Sequence, residues 1–197
     1  MGYSVSIRAD MNLSAFDNKG RRKYLNAAEN ERFLTAASLQ DALLESFCLF
    51  LYYTGCRISE ALELQPEDLQ SIEGVVAIRT LKRRGKTVVR RIPIPNTLSQ
   101  KLQRLGASTQ NPVWSFSRTT AWRRVKEVMQ EANIGGSHAI PKGLRHGFGV
   151  RAVLNDVPIN KIKVWMGHAK ISNTEIYLDV QDEEERLLMT RMWGGLN

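Results

Sequence analysis

Residues 142–177 read KGLRHGFGVRAVLNDVPINKIKVWMGHAKISNTEIY, and three of them stand apart: Arg145, His168 and Tyr177. Arg145 lies within Lys142-Gly143-Leu144-Arg145-His146, and His168 closes Trp165-Met166-Gly167-His168. Tyr177 follows nine residues after His168 (177 − 168 = 9). The apolar pattern predicts helices over Gly143–Leu154 and Ile159–Met166. Ser172, three before Glu175, has the form of a capping box and places Tyr177 inside a short helix.

Working outward, the next distinctive segment is Thr54-Gly55-Cys56-Arg57-Ile58-Ser59-Glu60. It follows Gln40 to about Tyr53, which is apolar nearly all round (Leu43, Leu44, Phe47, Leu49, Phe50, Leu51) and so reads as a central buried helix. Arg57–Leu64 is a second short helix that stops before Pro66. Earlier still, Asn26 and Glu29 form a capping-box pattern that starts a helix near Ala27, running to about Ala37. Gly74–Leu81 and Thr87–Ile94 are rich in β-branched residues and flank Arg83-Arg84-Gly85-Lys86, the signature of a β-hairpin. Helical patterning resumes over Leu98–Leu105, Thr119–Ala132 and Glu183–Met192. The expected class is α+β, mainly α-helical, with one small antiparallel sheet.

A length of 197 residues allows one large domain, or a domain with appendages, and a sizeable core. A formal charge of +8 and a pI near 9.7 point to an anionic partner, nucleic acid before membrane. Cys48 and Cys56 fall in apolar helical sequence and read as small buried hydrophobes of a reduced protein. The longest apolar run, Phe47–Tyr53, is too short to span a bilayer, and no signal peptide is visible. A soluble, cytoplasmic, nucleoid-associated protein is expected.

The segments around Arg57, Arg145, His168 and Tyr177 together resemble the catalytic domain of the tyrosine recombinases, the phage-integrase family, over about residues 24–181. Two arginines, a histidine and a tyrosine are the set needed to attack a phosphodiester without a metal. The resemblance implies that Tyr177 is the nucleophile, forming a 3′-phosphotyrosyl bond that conserves the energy of the broken ester. Arg57 and Arg145 would grip the scissile phosphate through planar, permanently charged forks, with Glu60 as the buried partner of Arg57. His168 would donate from the opposite side, and His146 would be a packing residue. The sequence departs from the family at Lys142, where histidine is usual. Lys142 can serve as a donor but not easily as a neutral proton acceptor. The family's general acid is a hairpin lysine; Lys82 and Lys86 both qualify, with Lys82 preferred. No cofactor is implied.

The hairpin's basic residues (Lys82, Arg83, Arg84, Lys86, Arg90, Arg91) form a ribbon suited to DNA phosphates. Arg123 and Arg124, with Arg118 and Lys126, and then Lys161, Lys163 and Lys170, would track the backbone. Trp114, Trp122, Trp165 and Trp193 read as core anchors. Residues 1–23 are expected to be an arm or linker, 24–181 the catalytic domain, and 182–197 a C-terminal helix for protomer contacts. The expected partners are double-stranded DNA and further copies of the chain, as a dimer to tetramer on DNA. Competing readings are a type IB-like topoisomerase and a DNA-binding protein on a decayed recombinase domain.

Overall fold

Helix α2 (Ala42–Thr54) is the apolar centre that its sequence predicts. Asp41 caps it by accepting a hydrogen bond from the Leu44 amide at 2.8 Å, and Gly55 ends it in the left-handed region at φ 58°. In this computed structural model, which describes residues 14–70, 74–81, 87–108, 112–179 and 183–192, α2 is surrounded. Its neighbours are α1 (Ala27–Ser38), α4 (Asn96–Ser108), α5 (Arg118–Glu131) and α6 (Pro141–Leu154). Phe47 and Phe50 are wholly buried against Trp114, whose indole N–H donates to Ser46 Oγ at 3.0 Å. Each such ring contributes about 1.5–3 kcal/mol by leaving water. The Asn26–Glu29 capping box forms at the start of α1, and Cys48 and Cys56 are free and buried.

After α2 come α3 (Ile58–Leu62), a 3₁₀ turn over Pro66–Asp68, and a sheet of three strands. The sheet runs β1 (Leu69–Gln70), β2 (Val75–Leu81), β3 (Thr87–Pro93), all antiparallel. The third strand is an addition to the expected hairpin; two residues are too few to show an alternating pattern. Val76 pairs with Ile92 and Ile78 with Arg90, so period-two alternation turns Arg90 inward with these apolar residues. Arg90 is 4% exposed, which corrects its placement on an outward basic ribbon; Arg91 is exposed.

A second, smaller core lies beyond α6. Val150 and Val153 of α6 meet Ile162 and Met166 of α7 (Ile159–Met166), and Ala15, Tyr24 and Tyr177 join them. Ser14–Leu25 is held there by a bridge between Phe16 and Arg22. Helix α8 covers only Ser172–Glu175, and α9 (Glu183–Met192) returns to α6. The Ser172 capping box does not form: Ile171 is the N-cap residue, and Tyr177 lies in the turn after α8, not inside it. The Tyr177 amide donates to the Thr174 carbonyl at 3.0 Å, three residues back, so the chain tightens into a turn after Glu175 while Thr174 and Tyr177 stay buried. Trp114 is buried and Trp165 packs against the main core, but Trp122 is 41% exposed, correcting its reading as a core anchor. Trp193 lies outside the described residues.

Candidate active site

The turn after α2 places the first arginine. Gly55 takes the left-handed conformation, and a Cβ there would meet the Phe148 ring at 2.5 Å, so both backbone and space call for glycine. Arg57 then becomes the N-cap residue of α3. Its guanidinium donates to Glu60 Oε1 and its amide to Glu60 Oε2, each at 2.8 Å. Glu60 also accepts from Thr80 Oγ1 at 2.8 Å and from Arg90 at 2.5 Å. Burial raises the carboxyl's pKa, but Arg90, Arg57 and Thr80 outweigh it and bring it to about 2. Arg90 also donates to Thr80 Oγ1 and to the Trp165 carbonyl, the latter at 2.7 Å. One buried guanidinium thus joins β3, α3 and α7.

Arg145, on α6, donates to the Gly55 carbonyl at 2.6 Å and to the Met166 carbonyl at 2.7 Å. These bonds bring it beside both the Arg57 turn and the end of α7. Burial and the neighbouring Arg57 lower its pKa to about 10, so it stays charged at neutral pH. Gly167 ends α7 in the left-handed region at φ 65° and turns the chain so that His168 Nδ1 meets Thr174 Oγ1 at 2.9 Å. Burial, with Arg145 and Arg57 nearby, lowers the His168 pKa to about 3 and keeps the ring neutral.

Tyr177 is 1% exposed. Its ring stacks on His168 with centroids 6.2 Å apart and lies where a Cβ on Gly149 would come within 2.5 Å. The phenol oxygen is 3.2 Å from His146 Nδ1. Burial drives the phenol pKa to about 12 against the pull of Arg145 and Arg57. Burial also leads in lowering His146 to about 3, with Lys142, Arg145 and Lys23 adding to it.

The four residues singled out in the sequence, Arg57, Arg145, His168 and Tyr177, therefore come together. Lys142 is exposed on the first turn of α6 and lines a cavity of about 220 Å³ with Lys23 and His146. Lys82, Arg83, Arg84 and Lys86 lie outside the described residues. Arg123 pairs with Glu127 at 3.6 Å and Arg124 with Asp41 at 3.1 Å, both near the surface. His146, Arg90, Thr80 and Thr174 were not singled out for these contacts; alternation counted back from Ile92 is the one signal that could have marked Arg90. Two cationic forks, two neutral imidazoles and a phenol form a site able to hold an anionic tetrahedral group and attack it.

Residues 23–184 match the family described as the phage integrase family. The chain belongs to that family. It is 33% identical over 144 residues to tyrosine recombinase XerA of Pyrococcus furiosus, covering 67% of this chain and 48% of the relative. The crystal structure of XerA recombinase superposes with a TM-score of 0.74 at 24% identity, over 86% of this chain and 64% of that one. XerH site-specific recombinase, bound to a palindromic difH substrate after cleavage, gives 0.69 at 16% identity, over 87% and 53%. The integrase-family chain spans about half the length of the curated relatives it matches. Its mainly helical architecture with a small antiparallel sheet is the fold of those structures.

Proposed function

We propose that this chain is the catalytic part of a site-specific DNA recombinase that cuts and rejoins strands through Tyr177. The observation that carries the reading is the convergence at Arg145. Its two bonds bring the Arg57 turn and the end of α7 to one place, and the His168 ring next to them stacks on Tyr177. In this reading Arg57 and Arg145 each offer paired donors to the non-bridging phosphate oxygens, and His168 donates from the other side. The Tyr177 oxygen attacks phosphorus as the bond to the 5′ oxygen breaks, leaving a 3′-phosphotyrosyl link. A hairpin lysine, Lys82 or Lys86, protonates the departing 5′ oxygen, and Lys142 supplies a further donor. The ester energy is kept in the link, so rejoining needs no ATP. The partner is double-stranded DNA, with further copies of the chain assembling on it, in a cytoplasmic, nucleoid-associated protein. Arg83, Arg84, Arg123 and Arg124 contribute phosphate contacts, each adding about one unit to the salt slope of log K.

Covalent trapping tests this. Wild type and Tyr177→Phe are incubated with supercoiled DNA carrying the native flanking sequence in EDTA, then quenched with SDS. The expected result is a protein–DNA adduct with wild type and none with Tyr177→Phe. An adduct retained by the variant, or absent from wild type that still binds DNA, overturns the proposal.

A further inference from the structure

We propose that His146 is the proton acceptor for the Tyr177 phenol during strand cleavage, an assignment that rests on the recombinase reading of this site. Attack by a phenol requires its proton to go somewhere, and Lys142 does not meet that need. Lys142 is exposed, and an ammonium has donors but no lone pair. His146 stands one turn further along α6 with Nδ1 3.2 Å from the phenol oxygen, within reach of a proton transfer. Its ring meets the Tyr177 ring edge-on, at 62° and a centroid distance of 5.7 Å. The Tyr177 phenol meets His146 and lies within the field of Arg145 and Arg57, so a phosphate held by those arginines arrives beside the phenol and its acceptor.

The cations around His146 favour the neutral ring, and Asp17, the acid lining the same cavity, is the opposing charge. Lys142 and Arg145 belong to its own helix, Lys23 and Asp17 come from the segment before α1, and His168 and Tyr177 from the chain after α7. Burial comes first in lowering its pKa, followed by the repulsion of Lys142, Arg145 and Lys23. A phosphodiester held by Arg145 brings one negative charge beside the ring and offsets part of that repulsion, so the imidazole gains basicity as substrate arrives. The step balances. The phenol O–H bond breaks and its proton goes to the Nδ1 lone pair while the oxygen bonds to phosphorus. The pair from the broken phosphorus–oxygen bond stays on the 5′ oxygen, which takes a proton from the hairpin lysine. On rejoining, the 5′ hydroxyl returns its proton to the lysine as its oxygen bonds to phosphorus, the phosphotyrosyl bond breaks, and the imidazolium returns its proton to the leaving phenol.

The test uses His146→Ala and His146→Asn, measuring Tyr177-dependent adduct formation from pH 7 to 9 beside DNA binding. Asparagine keeps a hydrogen-bonding oxygen near the Nδ1 position but cannot take the proton. A second substrate carries sulfur as the bridging 5′ atom, a leaving group that needs no acid. The expected result is unchanged binding and a loss of roughly a hundredfold or more at pH 7 in both variants, on both substrates. Because the variants must attack from a pre-formed phenolate, their deficit should shrink by about tenfold per pH unit. Asparagine restoring wild-type rates, a deficit constant with pH, or faster cleavage without His146 overturns the assignment and makes His146 a packing residue or a latch on Tyr177. If wild type itself gives no Tyr177-dependent adduct, the recombinase reading and this assignment fall together. An adduct with wild type and undiminished cleavage by both variants removes this assignment alone.

Discussion

Gly149 decides where the phenol can lie. Any side chain there meets the Tyr177 ring, whose nearest carbons lie 2.5 Å from where a Cβ would stand, so Gly149→Ala must push the ring out of the second core. Overpacking of this kind costs about 1–3 kcal/mol, read as a lower denaturant midpoint, and should weaken covalent trapping more than DNA binding. Arg57→Ala separates the other way. Its side chain is 45% exposed, so stability should change little, while loss of the phosphate donor proposed for it should lower cleavage by about a hundredfold to a thousandfold in a single-turnover assay. Arg57, Arg145, His168 and Tyr177 were legible because each stands at a fixed distance from a glycine or a helix end within a segment that resembles the family's motifs, although arginine itself is common in this chain. His146 was not: its role depends on a contact across 31 residues of chain, and nothing in its neighbours announces that contact.

At the scale of elements, the sheet is fastened to the site by charge rather than by apolar packing alone. The side chains of Arg90 and Glu60 are 3% and 6% exposed, and Arg90 reaches from β3 to both α3 and α7. Arg90→Met leaves Glu60 with a buried charge short of a partner and should cost about 3–5 kcal/mol by chemical denaturation. Pairing it with Glu60→Gln should recover part of that loss, a coupling that a double-mutant cycle measures. Helix existence was legible throughout, because apolar spacing is a strong signal over ten or more residues. The turn holding Tyr177 was not, since α8 has four residues and its form is set by what Thr174 and Tyr177 bury. Trp122 is a finer detail: Ala121, Val125, Val128 and Met129 mark the inward stripe of α5, and Trp122 sits about 75° from its centre, on the edge that also carries Met129.

For the whole molecule, acid should act in two stages. His146 and His168 are lowered to about 3 in the folded protein, below the ordinary histidine value of 6.5. The unfolded chain therefore binds more protons between those limits, and stability present above pH 6.5 falls as pH drops toward 3. His146 contributes at most about 1.4 kcal/mol per pH unit, and His168, nearer solvent, less. Glu29 and Glu60, lowered from 4.5 to about 2 by their hydrogen-bonded partners against the effect of burial, add a further loss below pH 4.5. Thermal unfolding followed from pH 8 to pH 3 should show a midpoint that begins to fall near 6.5 and steepens below 4.5; a midpoint flat between 8 and 5 would contradict the buried, neutral state of both rings. The two bonds of Arg145 have a consequence in time. They reach back 90 residues to Gly55 and forward 21 to Met166, so the pieces of the site cannot be aligned one after another as the chain is made. A nascent chain that has not yet reached Met166 carries both arginines without the carbonyl that orients the second, so Arg145 takes its place only once the end of α7 has been made.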